Sequence, residues 1–544
     1  MRDSPGGSAA VRQALCVCGL AALLLIAAGQ ASAAVLKVCP SGCAFSEIAP
    51  AIAAANPGDT IQVAGGTYDG GFTIDKSVNL VGAGAGSTFI SGGGPVVTIG
   101  EAFAASEPTV SIGGVMITGG VTHSSPQSLA FTGQAGVIAL GGGIDVPPAA
   151  NFAPGATVTI ANSVISGNRA EPSTAIDSGL TCPPDITITC INGDLPFALG
   201  AGGGINNWGT MTLSSTTVSN NQVAGSVASD AEGGGINTVG GLTLIGSSVS
   251  GNEARVTTPN GRFAETGGIL ALRGVLSVSN SSVTDNSATM STAMPSDIPG
   301  GTAALAAGMH VGGGVQAATI SNTTIASNSA RETNSLGDAN AFSGGLHTDI
   351  DVTVSNDVIA NNHVTSSSTG SSGHADGSAG GGEFSGRFTN IRLTGNTVDS
   401  SSAAGSASGE GGGTHFDGGT ITNSLVSDNH VRVSSPGEVA ARGGGVDAAV
   451  GATLRNTTVR GNTVEATGAS GNVRGGGVFD AAFPDGPDGA PGGPLVLQNS
   501  TLTGNALTGA GLIVHGGGLY LENEPLTFLN SLIANNVPDQ CFGC

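Results

Sequence analysis

Eleven copies of one two-part signal run through this chain: a glycine run closed by an aliphatic residue, then, usually 14 to 18 residues on, an aliphatic residue separated from an asparagine by two positions. The first half is GGGI at Gly141–Ile144, Gly202–Ile205 and Gly233–Ile236, GGGV at Gly312–Val315, Gly443–Val446 and Gly475–Val478, and GGGL at Gly516–Leu519. Shorter versions end at Ile269 and Leu346, and degenerate ones at Glu383 and Thr414. The second half, as in IGSSVSGN or SNTTIASN, ends at Asn168, Asn221, Asn252, Asn286, Asn328, Asn362, Asn396, Asn429, Asn462, Asn505 and Asn536. Most of these asparagines lie 31 to 34 residues apart, which is the mark of a solenoid.

Between the signals, apolar and polar residues alternate with period two, as in Met211 and Leu213 or Leu242 and Leu244, so each unit supplies short strands. Two or three such strands with glycine corners fit one coil of a parallel β-helix, where each strand pairs with its equivalent one coil along. In the coil from Gly202 to Asn221 the inward residues are Ile205, Met211, Leu213 and Val218. Their burial stabilises by roughly 1.5–3 kcal/mol each, less than the entropy of ordering a whole coil. Only stacking on neighbours makes such a fold stable. Glycine suits tight corners, and the repeated asparagines read as a stacked amide ladder whose backbone tolerates the left-handed conformation.

The ends carry different text. Arg2 and Arg12, an apolar run from Ala14 to Ala28 and Ala31-Ser32-Ala33 read as a secretory signal peptide over residues 1–33, which makes the protein secreted or cell-surface associated. No cysteine stands directly after the cleavage site to carry a lipid, and no later apolar run reaches 18 residues, so a transmembrane segment is not expected in the mature chain. Residues 34–100 read as a cap with the first coils: Ser46–Ala55 as a short amphipathic helix stopped by Asn56-Pro57-Gly58, then strands at Thr60–Val63, Phe72–Ile74 and Val78–Val81. Residues 101–544 read as β-helix repeats. Six cysteines follow the signal, and stacked coils place the chain ends about 50 Å apart, so the local pairs Cys39 with Cys43, Cys182 with Cys190 and Cys541 with Cys544 are expected as disulfides. A net charge of −22 excludes nucleic acid as a partner.

PGDTI at Pro57–Ile61, GGTY at Gly65–Tyr68 and KSVNLVGAG at Lys76–Gly84 resemble the first coils of right-handed parallel β-helix proteins of the pectin-lyase-like group. The pairing of GGGI with VSGN is similar to the GGAI and FxxN repeats of bacterial polymorphic outer membrane proteins, with Gly in place of Ala and an aliphatic in place of Phe. The resemblance covers roughly residues 44–540 and implies an all-β fold, a single right-handed parallel β-helix solenoid with a short N-terminal capping helix. It implies no one activity, because that group spans lyases, hydrolases, epimerases, esterases and non-catalytic surface proteins. The QDTL and DFIFG text of pectin methylesterases, the NTD, DD and GHG set of polygalacturonases and the vWiDH text of pectate lyases are all missing.

One constellation carries chemistry. If the residue closing each glycine run points inward, the next points outward, and that column reads Asp145, Asn206, Asn237, Leu270, Gln316, His347, Phe384, His415, Asp447, Phe479 and Tyr520. Asp349 and Asp417 add an HxD pattern two residues further on. His347, Asp349, His415, Asp417 and Asp447 are therefore the candidates for a metal site or an acid and base pair, against a plain reading as polar residues on a solvated sheet. Only Glu383 and Phe384 stand between the two HxD coils. The segments between each asparagine and the next glycine run, such as Arg169–Ala201 and His363–Ala379, read as loops along one flank, where solenoids bind partners. The expected function is a non-catalytic adhesive or envelope-associated scaffold, with no cofactor and a cell-surface protein or glycan as partner. The alternative is a polysaccharide lyase or hydrolase using the His347 to Asp447 face. Ice binding needs flat ranks of threonine, which the irregular segments oppose.

Overall fold

The computed structural model describes residues 33–123, 136–172, 197–225, 230–259, 261–296, 302–448, 451–481, 493–522 and 524–544. The signal-peptide reading of residues 1–33, save for Ala33, and the pair Cys182 and Cys190 fall outside them. Residues 34–544 form one compact unit of stacked parallel sheets, an all-β solenoid. One helix, α1 (Ile48–Ala54), buries Ile48, Ala51 and Ile52 against the core at the first coils. Among the described residues no helix is long and apolar enough to cross a membrane.

One coil shows the plan. Ile236–Thr238 and Gly241–Ile245 lie in a long sheet that takes two strands from most coils, and Ser248–Ser250 lies in a second, 14-stranded sheet. These two sheets enclose the body, whose core holds Ile236, Leu242, Leu244 and Val249 and their equivalents up and down the stack. The chain then leaves the body through an outbound strand, Glu253–Val256, and comes back through a return strand, Phe263–Glu265. Outbound and return strands stack into two 11-stranded sheets. Ala254 and Val256 face Ala264 across a second, separate core. This pair of sheets forms an arm beside the body. Where they are described, the segments expected to be loops are largely its strands: His363–Ser368 and Ala375–Ser378 account for most of His363–Ala379, while most of Arg169–Ala201 lies outside the described residues.

The two halves of the repeat signal meet where arm joins body. All eleven repeated asparagines are buried, and from Asn168 to Asn505 each side-chain amide donates to the carboxamide oxygen of the next, at 2.9–3.0 Å. Asn536 ends the ladder on Gln540 Oε1 at 3.1 Å. The backbone N–H of each asparagine donates to the same oxygen, as Asn221 does to Asn252 at 3.0 Å. The left-handed position is not the ladder residue, as expected, but the one before it: Asn220, Asp285, Ser327 and Asn361 have φ of 53–58° there, and glycine fills it in other coils. The ladder residue itself points inward to satisfy buried backbone groups, which a left-handed corner does not require.

Opposite the ladder stands the glycine run. A Cβ on Gly235 would meet the Asn252 amide at 2.9 Å, and one on Gly234 the Glu253 backbone at 2.4 Å. Glycine is needed because two backbones and an amide share one narrow neck. The first residue of the run has positive φ, 58° at Gly233, and where glycine is missing Thr266, Ala306, Ser343 and Ala379 adopt it at 52–62°. Disulfides join Cys39 to Cys43 and Cys541 to Cys544.

Candidate functional site

Two rows of side chains face each other in the corner between arm and body. One row is the residue after each closing position on the long sheet, and the strand register gives it as Asp145, Asn206, Asn237, Leu270, His310, His347, Glu383, His415, Asp447, Phe479, Tyr520 and Phe542. The other is the last residue of each return strand, including Glu232, Glu265, Glu410, Arg442 and Arg474. The column does point away from the body core, but the arm covers it. Asn206 and Asp447 are fully buried, and His310 is 6% exposed.

Two expected members of the column are corrected. Gln316 is exposed and lies outside it, because the neck of its coil is Ala306-Ala307-Gly308, so the closing residue is Met309 and His310 follows. The GGGV at Gly312–Val315 belongs instead to the bend between the two halves of a long strand, Met309–Ser321. Phe384 points into the body core and stacks on Phe388, with ring centroids 4.8 Å apart. Its neck is Ala379-Gly380-Gly381, which leaves Gly382 at the closing position. A Cβ on Gly382 would come within 2.3 Å of the Phe384 ring, so the ring fills the space that an aliphatic closing residue takes elsewhere. Glu383 therefore takes the outward place.

With the register set, His310, His347 and Asp349 converge. His310 Nδ1 lies 2.6 Å from Glu265 Oε1 on the return sheet, and its Nε2 lies 3.4 Å from Asp349 Oδ2. His347 Nδ1 lies 3.0 Å from Ser343 Oγ and 3.5 Å from Glu383 Oε2, and its Nε2 lies 3.1 Å from Asp349 Oδ1. The two rings meet edge to face, with centroids 4.6 Å apart. The Gly313 amide donates to Asp349 Oδ2 at 3.0 Å, so the displaced glycine run positions this carboxylate. Burial opposes a charged His347, but Asp349 and Glu383 outweigh it and raise its pKa to about 9. His310 is raised in the same way by Asp349 and Glu265 against its burial. The nearby imidazoles of His310 and His347 hold Asp349 far below the usual carboxylate range.

His415 forms a second cluster. It lies 3.4 Å from Asp417 and 3.7 Å from Glu410, and its Nδ1 is 3.9 Å from Asp447. Burial is again outweighed, here by Asp417, Glu410 and Asp447, and its pKa rises to about 10. Arg442 reaches in from the return sheet to pair with Glu410 and, through Nε, with Asp447 at 2.8 Å. Its guanidinium also covers the Phe479 ring at 5.2 Å from the centroid. Glu410 and Asp447, two of the three carboxylates beside His415, thus already face a permanent cation. Further along, Phe479, Tyr520 and Phe542 stack at 5.3 and 5.0 Å between centroids.

Of the five expected candidates, His347 and Asp349 fall in the first cluster and His415, Asp417 and Asp447 in the second. Sequence reasoning missed His310, Glu265, Glu410 and Arg442. The last three occupy return strands that read as loops, and His310 is hidden because Ala306-Ala307-Gly308 does not look like a glycine run. No protein-family model matches the chain, and no curated protein matches it either.

Proposed function

We propose that this chain is a secreted, non-catalytic scaffold that holds a cell-surface protein or glycan at the tips of its arm. The observation that carries this reading is where the chain is free to vary. Strand register is kept from coil to coil in the two arm sheets, whereas the connection from outbound to return strand shortens from Thr369–His374 in one coil to Gly468 and Ala469 in another. Connections of unequal length along one edge of a regular frame are where solenoids carry recognition. The right-handed winding and a kinship with pectin-lyase-like and polymorphic outer membrane protein repeats belong to the same proposal, on the PGDTI, GGTY and GGGI text. Labelled protein applied to cells and glycan arrays should bind, and replacing residues 369–374 at one tip by a two-residue turn should weaken binding while the thermal midpoint holds. Binding that ignores every tip would remove the reading.

One observation favours an enzyme instead: imidazoles and carboxylates share a corner that a chain could enter from the Asp349 side, where that side chain is 43% exposed. A glycan lyase or hydrolase built on His347 and Asp349 would release reducing ends or unsaturated products from a panel of uronate and neutral glycans. Turnover that disappears in Asp349→Ala, with the fold intact, would replace the scaffold reading.

A further inference from the structure

We infer that His310, His347 and Asp349 form a binding site for one divalent transition-metal ion of the Zn²⁺ class, clamping two adjacent coils. Three features of the geometry point to an ion rather than to a simple ion pair. The first is the division of labour on the rings. Both Nδ1 atoms are engaged from behind, by Glu265 at 2.6 Å and by Ser343 at 3.0 Å, and both Nε2 atoms face Asp349. A carboxylate or hydroxyl behind each imidazole is how metal-bound histidines are oriented.

The second is distance. Tetrahedral Zn²⁺ with bonds of about 2.0–2.1 Å places neighbouring ligand atoms roughly 3.3 Å apart. His310 Nε2 is 3.4 Å from Asp349 Oδ2 and His347 Nε2 is 3.1 Å from Asp349 Oδ1, and one ligand atom from each of the three residues lies within 4.8 Å of the others. The third is an orphan. His310 is 6% exposed, and its buried Nε2 makes no hydrogen bond, although it is aimed at the Asp349 carboxylate. A buried nitrogen without a hydrogen bond is costly, and coordination would satisfy it.

The donor set also names the class of ion. Two imidazoles and one carboxylate suit Zn²⁺ and its neighbours in the first transition series, whereas Ca²⁺ and Mg²⁺ take six or more oxygens. Three protein ligands leave a fourth position, and the partly exposed Asp349 lets water reach it. The His415 cluster has a comparable spread of donors but is filled by Arg442, so it serves as an internal control. Coordination would tie His310 in one coil to His347 and Asp349 in the next, across strands that already pair. This inference does not depend on recognition at the arm tips.

The test uses the full chain, made without a histidine tag and stripped with a chelator, then titrated with Zn²⁺ against a chromophoric competitor and with Co²⁺ by its visible tetrahedral bands. One equivalent should bind, with tetrahedral Co²⁺ bands and a rise in thermal midpoint. His310→Ala, His347→Ala and Asp349→Ala should each weaken binding by at least about 100-fold, Glu265→Gln by about 10- to 100-fold, and His415→Ala hardly at all. Asp349 is the least buried ligand, so its variant keeps the test valid if a histidine variant misfolds. Failure to bind a stoichiometric ion, or equal binding by the parent and Asp349→Ala, would overturn the inference and leave an ion-pair cluster.

Discussion

From Leu213 to Leu244 to Val278 in the body, and from Val223 to Ala254 to Ala288 in the outbound sheet of the arm, the strands pair in the same parallel register and bury the same alternate residues. What differs is the size of the side chains inside. The body core is filled by Ile, Leu, Val, Met and, at its widest side chains, by Phe384 stacked on Phe388, which meets Phe416 edge to face. The return sheet presents Ala231, Ala264, Ala304 and Ala341 in one line, which Gly377 and Gly409 continue. Small side chains let two sheets lie close, so the arm is thin. Its stability leans more on hydrogen bonds between coils and less on apolar area, and deeper in it even Ser366, Ser400 and Glu332 are buried. Parallel stacking therefore tolerates two very different cores, provided that each keeps its width from coil to coil.

Perturbations should separate the two regions by size. The largest effect belongs to Leu244→Asp, which buries an unpaired charge in the body and should abolish cooperative folding in circular-dichroism melts. A midpoint within a few degrees of the parent would mean that Leu244 does not face the core. Next, Leu213→Ala should cost about 2–5 kcal/mol by leaving a cavity. In the arm the sensitivity runs the other way: Ala264→Leu should cost about 1–3 kcal/mol by overpacking. Denaturant titrations check both, and a neutral Ala264→Leu would break the picture of a closely filled arm. At the neck between the regions, Asn286→Ala strips the acceptor from both the backbone N–H and the side-chain amide of Asn252. A loss of about 1–3 kcal/mol per unsatisfied group is expected in the same titration.

The smallest effect is a pH dependence confined to the arm. Glu332 is buried between its sheets, and burial, with Asp338 nearby, raises its pKa to about 7 against hydrogen bonds from Thr302 and Asn340. The folded arm thus holds a proton that the unfolded chain releases near 4.5. Its contribution is full below that value and is lost as pH rises to about 7, since the native state binds more protons than the unfolded one across that window. Midpoints measured from pH 4 to 8 should fall in the parent and fall less in Glu332→Gln. Equal slopes would place Glu332 in contact with solvent.

The body was legible in the sequence because large aliphatics alternate there with period two, and Ile205, Met211, Leu213 and Val218 all face its core. The arm was not, because alternation between alanine or serine and a polar residue has little hydrophobic contrast. HVTSSSTGSSGHADGSA has the composition of a loop even though it pairs as two strands with neighbours on both sides. The same difficulty hid half of the corner site. His347 and Asp349 were found from their spacing, but His310 depends on a neck in which alanines take positions given elsewhere to glycine, and Glu265 lies on a return strand. A pattern of residue types reveals a register only where that pattern is unbroken.

That the arm is folded sheet rather than loop is tested most directly by hydrogen exchange read by mass spectrometry. Peptides covering residues 363–379 should exchange slowly at neutral pH, within about tenfold of body peptides covering residues 346–362, with fast amides confined to the tip at Gly370–Gly373. Exchange across all of 363–379 at the rate of an unstructured chain, while the body stays protected, would contradict it.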